Sequence, residues 1–328
     1  MKVNFFTSQP WAPCSQFYES ALKRLDYINF YDTQFQNYDI LLLLTYDHQI
    51  IKTVKEKLPK LKIGIIDPRS SLVREGVEHS DFIIIDSTEM EDFWRVSRKP
   101  IFRYSEYPDI EYYDKQHTQK NKVTIGYHGN KIHLECMAQN VTEALSNLGK
   151  KHDLELLIMH NFPPPDGTES WYPDNVSVRH VPWSMSNYHL ELSKADIGIA
   201  PNNIIHDESL KSILQANSKF NCNVDDYSIR FKMPSNPGRI LIFGKLGIPV
   251  VADFYPSAME LLAKERNGFV AHSSAAWEYY LDKLVSSHEL RTTMGNNLQN
   301  LVRTEFDFDV QNSRITSFFE SLLGEARI

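Results

Sequence analysis

Short runs of apolar, mostly β-branched residues recur along this chain at intervals that leave room for a helix, and this pattern constrains the fold more than any other feature. In the first third the runs are Val3–Phe6, Ile28–Tyr31, Ile40–Leu44, Ile63–Ile66 and Phe82–Ile85. Helical spacing fills Gln49–Leu58 and Glu89–Arg98 between some of them. Alternation of this kind favours a mostly parallel sheet flanked by helices. It predicts one α/β domain over residues 1–110.

The stretch YSEYPDIEYYDKQHTQKNK, Tyr104 to Lys122, breaks the pattern: it is polar, contains Pro108 and has no apolar face. Residues 111–121 are therefore expected to be a linker. A second α/β series follows over 122–309. Its expected elements are strand Val123–Tyr127, helix Ile132–Leu148, strands Leu154–Met159 and Val176–Val181, helix Tyr188–Ser193 and strand Ile197–Ala200. After a long insertion come helix Pro237–Leu246, strand Val250–Ala252 and three further helical segments ending near Leu323. A chain of 328 residues, 42% of them hydrophobic, can fill two such cores.

Charge and cysteine usage narrow the function classes. A net charge of −7 argues against a nucleic-acid coat, so any polyanion site must be local. Pro10 interrupts the start before a signal-like run can form, and Ile40–Leu44 is too short to span a bilayer. The expected location is cytoplasmic, with at most a peripheral membrane contact. Cys14, Cys136 and Cys222 form no CxxC pair, which argues for buried thiols rather than a disulfide framework or structural zinc.

The most informative segment is RFKMPSNPGRILIFGKLGIPVVADF, Arg230 to Phe254. Ser235 or Asn236 can cap a helix opened by Pro237, and Gly247 followed by Pro249 closes it. Arg230 and Lys232 precede this helix and Arg239 lies in its first turn. The macrodipole is already positive there, so these cations call for an anion. Backbone N–H groups at Gly238 and Arg239, a hydroxyl at Ser235 and the cations make a diphosphate cradle. From charge alone, a solvated basic patch with an ordinary cap accounts for the same residues.

Three segments carry a resemblance to glycosyltransferases of the GT-B fold, particularly family 4 and its short bacterial relatives. SKADIGIAPN, Ser193 to Asn202, is similar to the family's helix and following strand. FKMPSNPGRILIFGKLGIPVVA resembles the pattern "FK-x-S-x-N-R … a-x-G-x-P-V-V". ELLAKERNGFVAHSSAAWEYYLDKL, with Glu260 and Asn267–Gly268–Phe269, resembles the return that follows it. The resemblance covers roughly residues 122–310. It implies two Rossmann-like α/β domains facing a cleft, with donor binding in the second. The first domain would serve the acceptor, and the closing piece 310–328 would return as a helix toward it. One departure stands out: Pro234 and Ile242 occupy the places where family 4 members commonly carry a pair of glutamates. The stereochemical outcome is thereby left open.

Further candidates follow from position. IGYHGN, with Gly126 and Gly129, resembles the glycine turn after the first strand of the donor domain. Trp183 follows a strand in the loop that in relatives lies near the nucleotide base, where a flat ring can stack; a core-covering tryptophan is the competing reading. The insertion Asn203–Tyr227 reads either as a lid over the donor or as an excursion without function. In the first domain, strand ends deliver Asp47 and His48, and also Asp67–Pro68–Arg69, to a sheet edge where a general base or acceptor-binding cation is useful. Helix capping is the alternative role for such residues.

Together these readings predict a glycosyltransferase of the hexosyl type, moving a sugar from a nucleoside-diphosphate sugar to a carbohydrate or other hydroxyl acceptor. The expected catalytic residues are Asp47 and His48. The expected donor-binding residues are Gly126, Gly129, Trp183, Arg230, Lys232, Ser235, Asn236 and Arg239. No cofactor and no metal are expected, because no Asp-x-Asp stands at a strand end and the DFD of Asp307–Asp309 falls in a helical tail. A sugar-nucleotide epimerase and a non-catalytic nucleotide- or sugar-binding protein are the alternatives. A hydride-transferring dehydrogenase is disfavoured, because GxGxxG follows none of the strands.

Overall fold

The computed structural model describes residues 1–45, 47–69, 74–163, 167–202, 237–262 and 265–324. They divide into two units: Met1–Asp109 with residues 305–324, and residues 110–202 with 238–304. Each is built on a six-stranded sheet whose pairings are all parallel.

In the first unit the strands are β1 (Val3–Thr7), β2 (Ile28–Phe30), β3 (Ile40–Leu44), β4 (Lys62–Ile66), β5 (Phe82–Ile85) and β6 (Ile101–Arg103), in the order β2-β1-β3-β4-β5-β6. The central β3, ILLLL, is buried at every residue, as a strand covered on both faces must be. Helices α1 (Pro13–Leu22), α2 (His48–Lys57), α3 (Arg74–His79) and α4 (Thr88–Trp94) connect the strands. Pro13 starts α1, where its missing N–H costs nothing, and the Ser87 hydroxyl caps α4 by accepting from the Met90 amide. Strand β6 escapes the sequence pattern because it is three half-buried residues behind Pro100.

The stretch expected to lack an apolar face is only partly polar. Tyr104 and Tyr107 are buried, and both rings stack on Phe308. Phe308 opens the last helix, α12 (Phe308–Gly324), which belongs to this unit. Gln311 accepts from the Ser105 amide, Asn312 accepts from the Tyr104 hydroxyl and donates to the Ala21 carbonyl, and Phe319 packs on Phe82. Aromatic residues interspersed with charges carry no helical or strand period, which is why the sequence hides this packing.

The second unit contains β7 (Lys122–His128), β8 (Asp153–His160), β9 (Ser177–Pro182), β10 (Ile197–Ala200), β11 (Val250–Asp253) and β12 (Gly268–Ala271), ordered β12-β11-β10-β7-β8-β9. Its helices are α5 (Lys131–Glu135), α6 (Val141–Gly149), α7 (Tyr188–Leu192), α8 (Gly238–Lys245), α9 (Pro256–Leu261), α10 (Ser274–Ser286) and α11 (His288–Leu301). The single helix expected over Ile132–Leu148 is broken. After α5 the chain tightens to a 3₁₀ turn, and at Asn140 (φ −152°) it leaves helical geometry, so that the Asn140 side-chain amide donates to Asp253 Oδ1 at 3.2 Å. Asparagine competes for hydrogen bonds outside the helix, and here it does so.

Helix α8 is buried along its whole length and stops as its sequence demands. Gly247 takes φ +68°, its N–H donates to Gly244 O at 3.0 Å, and the Ile248 N–H donates to Phe243 O at 2.9 Å. This is the Schellman closure that a glycine just past a helix allows. Among the described residues no helix is long and apolar enough to cross a membrane.

Candidate functional site

At the carboxyl edge of the second sheet, β7 runs into Gly129, β10 into Pro201–Asn202 and β11 ends at Asp253. Asp253 organises this edge: Oδ2 accepts from the Asn202 amide at 2.6 Å, and Oδ1 accepts from Asn140 and from Trp277 Nε1 at 3.1 Å. Arg239, the second residue of α8, reaches this frame. Its Nη1 donates to Pro201 O at 2.8 Å, and its Nη2 donates to Asn202 Oδ1 at 3.2 Å and approaches His133 Nδ1 at 3.5 Å.

The Pro201 and Asn202 oxygens are neutral acceptors, yet Arg239 is 7% exposed. Among the described residues no carboxylate pairs with it. A buried guanidinium in the first turn of a helix adds its charge to the positive end of the macrodipole, and an anion relieves both. His128, ending β7, lies with Nε2 3.4 Å from the Arg239 carbonyl and packs edge-on against Phe243. Burial first, and the Arg239 charge next, push its imidazole down to about 3. The ring is thus neutral at ordinary pH and adds no charge to the edge.

Gly129 and Arg239 are brought together. Gly129 has φ +141°, and a Cβ there would meet Tyr127 Oη at 3.1 Å and Arg239 Cδ at 3.4 Å. Gly126 is a different case: it sits inside β7, where a Cβ would fall 2.7 Å from the Ala195 Cβ and 3.5 Å from the Phe243 ring. Its small size serves sheet-to-helix packing. Trp183 follows β9, half-buried, with its ring stacked on Tyr188 at 6.1 Å and its amide bonded to His160 O at 2.9 Å. Arg230, Lys232, Ser235, Asn236 and the insertion Asn203–Tyr227 lie outside the described residues, as does Cys222; Cys14 is half-buried, and Cys136 is buried with its Sγ donating to Ile132 O at 3.0 Å.

Sequence reasoning does not single out Asn202, Asp253, His133 or Asn140. A signal does exist for two of them, because Asn202 and Asp253 stand at or just after strand ends, the position that singles out Asp47 and Asp67. The sequence also hides a relay beside the site, in which Tyr172 Oη lies 2.8 Å from His180 Nε2 and His180 Nδ1 3.0 Å from His160 Nε2.

The carboxyl edge of the first sheet differs. Asp47 caps α2, with Oδ1 accepting from the Gln49 amide at 2.9 Å; His48 is the first residue of that helix, and its side chain lies outside the description. Beyond β4, β5 and β6 stand Asp67, Asp86 and Glu106, all buried and all bonded to Arg69. Arg69 Nε donates to both Asp67 oxygens at 2.7 and 2.6 Å; its Nη2 donates to Asp86 and, at 3.0 Å, to Glu106. Asp67 adopts φ +51°, in the left-handed region. Burial pushes the Asp86 carboxyl up to about 7 against the opposing pull of Arg69. Among the described residues, no group of three acids, histidines or cysteines could hold a metal ion.

No family model and no curated protein matches the chain by sequence. Solved structures do match. A structure of HepE from Anabaena in complex with UDP and glucose aligns over 98% of this chain and 100% of its own, with 12% identity and a TM-score of 0.63. Sucrose-phosphate synthase from Thermosynechococcus elongatus aligns over 88% of this chain and 75% of its own, with 10% identity and a TM-score of 0.62. A mutant of TarM from S. aureus, in complex with UDP among other ligands, aligns at 8% identity and a TM-score of 0.58. That match covers 85% of this chain, which spans 55% of the TarM chain. At such identities the likeness speaks for architecture, and the chain has the fold of the GT-B glycosyltransferases, two Rossmann-like domains each on a parallel sheet.

Proposed function

We propose that the protein is a glycosyltransferase that moves a hexosyl unit from a nucleoside-diphosphate sugar to a hydroxyl acceptor without a metal ion. The observation that carries this reading is Arg239, buried in the first turn of α8 beside Gly129 with no carboxylate paired to it among the described residues. When the glycosidic bond to the leaving group breaks, negative charge grows on the diphosphate. A fixed guanidinium and helix N–H groups stabilise that charge without having to reorganise. Lys232 and Ser235, just upstream, are proposed to complete the cradle, with Arg230 and Asn236 beside them and Trp183 against the base. The complexes of HepE and TarM with UDP support the choice of a nucleotide ligand. Asp47 and His48 are proposed to act on the acceptor side.

The test is a melting-temperature screen with free nucleotides, followed by incubation with a panel of nucleotide sugars. Nucleotide release that requires an acceptor and survives a chelator is the expected result. An isomerised donor makes the protein an epimerase, and saturable binding without turnover makes it a binding protein. Loss of transfer on chelation, restored by Mg²⁺ or Mn²⁺, overturns metal independence.

A further inference from the structure

A guanidinium stabilises charge on a leaving group best when it is held still, and one peptide group does much of the holding of Arg239. Pro201 O accepts from Arg239 Nη1 at 2.8 Å, and the N–H of the same peptide, on Asn202, donates to Asp253 Oδ2 at 2.6 Å. A planar trans peptide points its C=O and N–H in opposite directions, so Asp253 and Arg239 grip it from opposite sides. A carboxylate on the N–H pushes electron density toward the carbonyl oxygen, which strengthens the acceptor that faces the guanidinium. Asn202 adds a second link, its Oδ1 accepting from Arg239 Nη2 at 3.2 Å.

The parallel sheet makes this bridge possible. Strands β10 and β11 pair with Ala200 opposite Ala252, so the Pro201–Asn202 peptide leaves one strand beside Asp253 at the end of the next. Asp253 is buried, and its other oxygen is pinned by Asn140 Nδ2 at 3.2 Å and Trp277 Nε1 at 3.1 Å. Trp277 itself lies in the core of the second unit. The carboxylate is thus anchored from the core side and presents Oδ2 to the peptide. It also sets a negative charge one peptide away from a buried positive one, where exclusion of water makes their attraction strong. Because Asp253 bonds the peptide and not the guanidinium, it draws Arg239 into place without taking the N–H donors that an anion needs.

We propose that Asp253 is the positioning residue of Arg239: by orienting and polarising the Pro201–Asn202 peptide, it keeps the guanidinium aimed at the donor diphosphate. This rests on the transferase reading and deepens it by naming what fixes the charge-stabilising group. The experiment is nitrogen NMR of the Arg239 guanidinium in the nucleotide-free full chain, assigned by its loss in Arg239→Met, together with UDP titration calorimetry. Both are run on the parent, on Asp253→Asn and on Val285→Ala, which loosens the same core without touching the bridge. Asparagine keeps the size of the side chain but turns an N–H toward a donor that the carboxylate accepts from. In the parent the Arg239 Nη hydrogens should give separate, slowly exchanging signals. Asp253→Asn should merge them and weaken UDP binding about tenfold, whereas Val285→Ala should leave both as in the parent. In an Arg239→Met background, Asp253→Asn should cost no further UDP affinity. A freely rotating guanidinium in the parent overturns the proposal, even if Asp253→Asn fails to fold. So does parental UDP binding by Asp253→Asn, a loss that persists undiminished without Arg239, or matching losses in Val285→Ala. A fixed guanidinium in a parent that does not bind UDP overturns the transferase reading instead and leaves the bridge standing.

Discussion

Arg69 and Arg239 occupy equivalent places at the carboxyl edge of a parallel sheet, the first half-buried and the second buried, and their surroundings are opposite. Three carboxylates surround Arg69. Two neutral oxygens and an imidazole surround Arg239. Desolvating a guanidinium is expensive in either place. The first unit offsets that cost internally, and in the second the proposed diphosphate would offset it. The same residue type thus makes one edge acidic and unsuited to phosphate, and the other the edge proposed to receive it. A count of charges along the chain cannot separate the two, because the acids on Arg69 come from three different strand ends.

The sharpest way to break the comparison is to remove each arginine in turn. Arg69→Met strands three buried carboxylates, and breaking such a cluster typically costs about 3 to 5 kcal/mol. The loss should be read by chemical unfolding and should shrink as pH falls. The Asp86 carboxyl, which burial raises to about 7 even with Arg69 beside it, takes up its proton in the folded state first, so the folded state gains stability as pH falls. UDP affinity of the still-folded fraction should be parental. If Arg69→Met is as stable as the parent, the cluster is not the internal counter-charge described above.

Arg239→Met should do the reverse. Loss of a charge-assisted contact costs about 1.5 to 3 kcal/mol, so UDP binding should weaken roughly tenfold to a hundredfold by titration calorimetry. Unfolding should change less than in Arg69→Met. Equal losses of stability with intact UDP binding would make the two arginines alike.

Gly129→Ala sharpens the picture on the second edge. The left-handed backbone and the close Tyr127 and Arg239 atoms leave a methyl group strained, at a cost of about 1 to 3 kcal/mol. UDP affinity should fall with it, because Arg239 is the neighbour able to move. Gly126→Ala, by contrast, should destabilise without a specific effect on UDP.

The smallest expected effect is in His128. Its folded-state value is pushed down to about 3 from an ordinary 6.5, so its contribution to stability is present above the ordinary value and lost as pH falls below it. One pH unit below that value, the loss is up to about 1.4 kcal/mol. Melting curves for the parent and His128→Gln should converge on acidification. Parallel curves would mean the imidazole is already charged beside Arg239.

Where the physics is local, the sequence determines the outcome by itself. Runs such as ILLLL can only be strands covered on both faces, and Gly247 before Pro249 ends α8 through a closure that needs one left-handed residue. Arg239 was legible because it stands in the first turn of a helix whose start and stop are marked by its own residues. The tertiary structure alone decided which residues serve it. Pro201, Asn202 and His133 come from loops and a helix more than a hundred residues upstream of Arg239 or tens of residues away. The pairing of Asp67, Asp86 and Glu106 on Arg69, and the packing of Tyr104 and Tyr107 on Phe308, were hidden for the same reason. Burial, counter-charge and hydrogen-bond partners are properties of neighbours in space, and a parallel sheet brings strand ends together that the chain itself keeps apart.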